Sequence, residues 1–86
     1  MQVTIATPEK LIFSSEAESV MLNAEKGQLT ILPRHANLIS LVHPGTIVLA
    51  GTSDSRFDVD GGVVKVQGDK VSILCQSVKS LATPHF

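Results

Sequence analysis

Val63-Val64-Lys65-Val66-Gln67-Gly68-Asp69-Lys70-Val71-Ser72-Ile73-Leu74-Cys75 consists of two apolar runs held apart by Gly68-Asp69. A two-residue, glycine-containing break between runs of strand length is the mark of a tight β-hairpin. In the second run Val71, Ile73 and Cys75 fall on one face and Ser72 on the other, the period-two spacing of a strand. Nothing in the segment has the 3.6-residue spacing of a helix.

Working outward, the same grammar repeats. Gly61-Gly62 precedes the hairpin, where glycines supply a bulge or let backbones pack closely. Upstream, Arg56 to Asp60 forms another strand, and the polar segment Gly51 to Ser55 a loop. Thr46 to Ala50 and Leu38 to Val42 flank His43-Pro44-Gly45, a turn that suggests a second hairpin. Gln28 to Leu32 ends at Pro33, which offers no N–H to a ladder, and Glu25-Lys26-Gly27 separates it from Glu18 to Ala24. Gln2 to Thr7 stops at Pro8, and Lys10 to Ser14 follows as a neighbour of Glu18 to Ala24. The spacing predicts an all-β fold, a β-sandwich of about ten short, mostly antiparallel strands in two sheets. One domain is expected over residues 1–80, with a short flexible tail over 81–86.

Composition agrees and narrows the function classes. Hydrophobic residues are 43% and charged residues 17% of the chain, too apolar for a disordered segment. Aromatics are only 3%, so Val, Ile and Leu must build the core. A formal net charge of −1, with scattered basic residues, gives no footprint for nucleic acid. Apolar runs are far shorter than the roughly 18 residues needed to cross a bilayer, so no direct membrane insertion is expected. The N-terminus has neither the basic nor the apolar region of a secretory signal, which points to the cytosol. The single cysteine, Cys75, lies in a strand and is expected to be a buried small hydrophobe.

The residues that carry chemistry do not assemble into a site. His35, His43 and His85 lack metal-ligand spacing and have no second cysteine to join. Two carboxylate pairs, Glu16 with Glu18 and Asp58 with Asp60, each leave one face of a strand, but neither has a nearby histidine, and a solvated face explains both. No serine sits in a nucleophile elbow, and Asp60-Gly61-Gly62-Val63 lacks the Lys-Ser/Thr of a phosphate loop. No catalytic residue, metal site or cofactor is expected. The segment Leu32-Pro33-Arg34-His35-Ala36-Asn37-Leu38 stands apart, since it sets a cation and an imidazole in a loop between apolar strands.

Taken together, Thr7-Pro8-Glu9-Lys10 with Phe13-Ser14, Gly27-Gln28-Leu29-Thr30-Ile31-Leu32-Pro33-Arg34-His35-Ala36, Pro44-Gly45 and Gly61-Gly62 are similar, in order and spacing, to the epsilon subunit of F-type ATP synthases. The resemblance runs from about residue 3 to residue 78 and is most specific in Leu-Pro-x-His-Ala followed by Pro-Gly. It implies a β-sandwich of about ten strands. It also implies a non-catalytic rotor subunit of the central stalk that links the gamma subunit to the membrane c-ring and couples ion translocation to ATP synthesis. The location implied is the cytoplasmic face of a bacterial cell membrane, as a peripheral part of the complex.

By this resemblance Gln28, Arg34 and His35 are candidates for the c-ring contact, and Thr7 for the gamma contact. An apolar sheet face would complete the gamma interface. Four positions depart from the family pattern: Gln28 replaces a usual Glu, Arg34 a usual Gly, and Cys75-Gln76 a usual Ala-Asp. Many epsilon subunits continue into two C-terminal helices that inhibit hydrolysis, so that mode of inhibition is not expected of these 86 residues. The alternative from the residues alone is a free-standing β-sandwich ligand-binding module using the Pro33 to Asn37 loop.

Overall fold

The computed structural model describes residues 1–52 and 56–81. Its elements are β1 (Gln2–Ala6), β2 (Leu11–Glu16), β3 (Ser19–Ala24), β4 (Gly27–Ile31), β5 (Leu38–Val42), β6 (Gly45–Ala50), β7 (Arg56–Val59), β8 (Gly62–Gln67), β9 (Lys70–Cys75) and β10 (Val78–Leu81). The fold is all-β, as the turn spacing predicts. Nine strands match the runs read from the sequence; β10 is the addition. The tail expected over 81–86 lies, past Leu81, outside the described residues, and so does most of the loop expected over 51–55.

One half of the sandwich is β10-β7-β6-β3-β4 and the other is β5-β8-β9-β1-β2. The halves join through a single rung, Ala24 opposite Val42, so the two layers are one sheet curled on itself. All pairings are antiparallel except that of β1 with β9, which sets Val3 beside Val71 and Ile5 beside Ile73. The hairpin at Gly68 forms in register from Gly62–Cys75 to Gln67–Lys70.

Two expectations about neighbours fail. The segment His43-Pro44-Gly45 does not make a hairpin: β5 pairs with β8 while β6 pairs with β3 and β7. The His43 N–H donates to the Asn23 carbonyl at 2.8 Å, and Gly45 takes φ 150, so the chain turns a corner between the layers. Likewise β2 is not beside β3; among the described residues it pairs with β1 alone, at the rim of the other layer.

The core lies between the layers. Val3, Ile5, Val20, Leu22, Ile31, Ile47, Val64, Val71, Ile73 and Cys75 are all buried, and they alternate along their strands with exposed or half-buried residues. Burying each large aliphatic side chain is worth roughly 1.5–3 kcal/mol. The Phe13 and Phe57 rings, 5.3 Å apart and tilted by 58°, close the seam between β2 and β7. Gly62 lies in β8 because β9 passes too close for a side chain: a Cβ there would sit 2.1 Å from the Leu74 carbonyl oxygen. That is the close backbone packing expected of Gly61-Gly62.

Candidate functional site

Proline and hydrogen bonding shape the β4–β5 connection. Pro33 fixes the second position of a turn, Arg34 takes φ 69 at the third, and the His35 N–H closes it on the Leu32 carbonyl at 3.1 Å. This is a type II turn, whose third position normally calls for glycine. Arg34 is exposed, with no carboxylate at salt-bridge distance among the described residues. His35 is half-buried, and its Nδ1 lies 2.7 Å from the Ala36 carbonyl oxygen. Two residues on, the Asn37 side-chain oxygen accepts from the Gly68 N–H at 3.0 Å, pinning the loop to the β8–β9 turn.

The other candidates lie elsewhere. Gln28 is exposed on β4 opposite Asn23, next to the β3–β4 turn and at the far end of β4 from Arg34. One continuous segment therefore carries Gln28, Arg34 and His35, but only the last two are adjacent. Thr7 closes the β1–β2 turn: its N–H donates to the Lys10 carbonyl at 2.9 Å, and its Oγ1 accepts from the Lys10 N–H at 3.3 Å. Its hydroxyl already has this structural role.

Of the two carboxylate pairs, Glu16 faces the N-terminal ammonium of Met1 at 3.2 Å, and Asp58 and Asp60 are taken up in hydrogen bonds between neighbouring segments. Asp58 accepts from the Thr46 hydroxyl at 2.7 Å and Asp60 from the Ser77 hydroxyl at 3.1 Å. Among the described residues no three His, Cys, Asp or Glu side chains converge as metal ligands. Burial pushes the Cys75 thiol pKa up, which disfavours the reactive thiolate. Beside the Asn37 loop is a concavity of about 370 Å³ lined by Asn37, Leu38, Ile39, Lys65, Val66 and Gln67, where Lys65 is the one charged lining group.

A different feature organises the outer face of the β5-β8-β9-β1-β2 layer. Leu41 pairs with Val63, Val63 with Leu74, Leu74 with Ala6, and Ala6 with Leu11, so one apolar row crosses five strands. Leu41, Leu74 and Leu11 are 51%, 53% and 60% exposed, although the core on the opposite face is complete. The next row, Ile39, Lys65, Ser72, Thr4 and Ser14, is mostly polar. The third, Gln67, Lys70, Gln2 and Glu16, is polar and charged. The face thus grades from apolar to charged along its strands, and Thr7 lies directly after Ala6 at the apolar end. These leucines were not among the sequence-derived candidates. Their signal is the doubled apolar pairs Val63-Val64 and Ile73-Leu74, which place one apolar residue on each face of a strand.

Residues 1–80 match the family described as the ATP synthase, Delta/Epsilon chain, beta-sandwich domain. The chain belongs to this family. It is 42% identical over 76 residues to the ATP synthase epsilon chain of Bordetella avium, covering 86% of this chain and 54% of that one. The epsilon chain of Neisseria meningitidis serogroup C is 40% identical over 77 residues, covering 86% and 55%. That of Brevibacillus brevis is 33% identical over 81 residues, covering 92% and 61%. The chain therefore spans about half the length of the first curated relatives it matches.

Solved structures show the same fold at low identity. A chain in the central stalk and c-ring structure of Tetrahymena thermophila mitochondrial ATP synthase superposes with a TM-score of 0.79 at 17% identity, over 91% of this chain and 64% of that one. A chain of the Euglena gracilis mitochondrial ATP synthase gives 0.80 at 18%, over 90% and 51%.

Proposed function

We propose that this domain is a non-catalytic coupling element of the central stalk of an F-type ATP synthase, held by a gamma subunit and resting on the c-ring at the cytoplasmic face of a bacterial membrane. The apolar row Leu41-Val63-Leu74-Ala6-Leu11 is the observation that carries this reading, in a chain of the delta/epsilon family. A folded domain gains nothing by exposing a row of leucines beside a finished core, and contiguous apolar patches of a few hundred Å² mark protein interfaces. The row is the gamma-facing surface, and Thr7 borders it. The polar β4 segment with its exit turn, bearing Gln28, Arg34 and His35, is the surface for the c-ring loops. With Gln28 where the family usually has Glu, that contact uses a neutral hydrogen bond instead of a charge-assisted one.

Titration calorimetry of the domain against gamma from the same organism tests this. Binding should be detectable at micromolar concentration, and Leu41→Glu with Leu74→Glu should weaken it at least tenfold with the melting curve unchanged. Unaltered binding by that variant would remove the apolar row from the interface; absence of any binding would remove the stalk reading. Arg34→Ala with His35→Ala should weaken c-ring docking and spare gamma affinity.

A further inference from the structure

The sheet is open along β4. Among the described residues that strand pairs only with β3. Ala24 and Gly27 flank a two-residue turn and form a mutually bonded pair, so bonding recurs at Leu22–Leu29 and Val20–Ile31. The N–H and C=O groups of Gln28 and Thr30 then point away from β3. Asn23, opposite Gln28, agrees with this phase, because its carbonyl accepts from the His43 N–H on the other side of β3. A cleft of about 300 Å³ between β4 and β5, lined by residues such as Gln28, Leu29, Leu38 and Ile39, leaves room beside this edge.

Exposed edges are normally guarded by a charge, a proline or a bulge. The β2 edge has a register shift at its start and Glu16 at its end. Gly27-Gln28-Leu29-Thr30-Ile31 has none of these devices.

We propose that the free edge of β4 pairs antiparallel with β4 of a second copy of this chain, about a twofold axis at Leu29. The pattern is self-complementary. Gln28 of each copy meets Thr30 of the other, so the two outward N–H and two outward C=O groups of each strand form four interchain backbone hydrogen bonds. No like charges face each other: Lys26 lies opposite Leu32 of the second copy, and Glu25 comes to the level of Pro33 and Arg34. A second copy satisfies these backbone groups with neutral residues in every opposed position of β4, and its twofold symmetry doubles each contact.

Five residues of strand bury far less than the roughly 800 Å² per partner of a stable complex, so association is weak, with a dissociation constant on the order of 0.1–1 mM. If β4 also carries the c-ring contact proposed above, self-association and docking exclude each other. The dimer itself does not depend on that reading.

Sedimentation equilibrium of the isolated domain tests the pairing. The weight-average mass should climb from the 9.1 kDa of the monomer toward twice that value as concentration approaches about 1 mM. Amide exchange at Gln28 and Thr30 should slow over the same range. Thr30→Pro removes an outward N–H, a change that edge strands tolerate, and should leave a folded monomer at every concentration. Gln28→Lys with Thr30→Lys, which opposes lysines across the axis, should do the same if the proline variant melts early. A mass fixed at the monomer value, or association unchanged in both variants, overturns the proposal. Association lost only in Leu41→Glu with Leu74→Glu assigns the dimer to the apolar row and equally overturns it. Gamma titration of the Thr30 variants separates the two readings, because it should be unaffected whether or not the edge pairs.

Discussion

Replacing Arg34 by glycine should make the domain more stable. Arg34 sits at φ 69, where a side chain crowds its own backbone, at a cost of about 1 kcal/mol. Glycine removes that cost but loosens the unfolded chain, returning about 0.5 kcal/mol of it. The net gain is about 0.5 kcal/mol, since no side-chain hydrogen bond or salt bridge of Arg34 to a described residue is lost. With about 2.1 cal/mol/K of unfolding entropy per residue, that gain raises the melting temperature by about 3 °C. Arg34→Ala is the control: it keeps the positive φ and should melt within about 1 °C of the parent. Circular dichroism melts of the three proteins, with urea titrations at 25 °C, measure the difference. A glycine variant no more stable than the alanine variant would refute the reasoning, meaning that the turn relaxes away from φ 69 or that the guanidinium is held in solution. A stabilised glycine variant that docks less well would show a cation retained against backbone preference at a contact surface.

Gly62→Ala should lower stability by about 3 kcal/mol or more, roughly 15 °C in melting temperature, because its Cβ would meet the backbone of Leu74 and Cys75 rather than a movable side chain. Gly68→Ala, with nothing within 4 Å of the added carbon but φ 63, should cost only about 0.5 kcal/mol in the same melts, the strain being half offset by a stiffer unfolded chain. The Cys75 thiol should resist iodoacetamide in the folded protein and react at the rate of global unfolding; fast labelling under native conditions would contradict its burial. Because burial raises its pKa, the stability it contributes is complete below the unfolded thiol's pKa. That stability falls as pH climbs through the folded one, and urea titrations of Cys75→Ala against the parent across alkaline pH should show this loss in the parent alone.

Period-two alternation and turn residues place β1 to β9 because both are local signals. Strand β10 escapes because Gln76-Ser77 is weak punctuation between β9 and Val78. Neighbours were less legible than strands. His43-Pro44-Gly45 has the chemistry of a hairpin, but its role as a corner depends on Asn23, some twenty residues earlier, capturing the His43 N–H. Lys10 to Ser14 and Glu18 to Ala24 are close in sequence, yet β1 claims the first and β4 and β6 the second. In the candidate site, the turn at Pro33 was legible from proline alone. The positive φ of Arg34 was foreshadowed by the glycine usual in the family. The apolar row was not visible from either signal, since its members adjoin one another only through pairings that join β5, β8, β9, β1 and β2.

The parallel ladder between β1 and β9 bears on how the chain reaches this state. Val3 and Val71 are partners across nearly the full length of the described chain, so the widest loop must close before the inner strand of that layer is bonded on both sides. The β1–β2, β3–β4 and β8–β9 hairpins can form from near neighbours, whereas β1 on β9 must wait for a distant encounter. Topologies dominated by such distant pairings fold in milliseconds to seconds rather than microseconds. During that interval Val3 and Ile5 lack half of their sheet, and the nascent β1–β2 hairpin is exposed to misassociation until β9 has been synthesised.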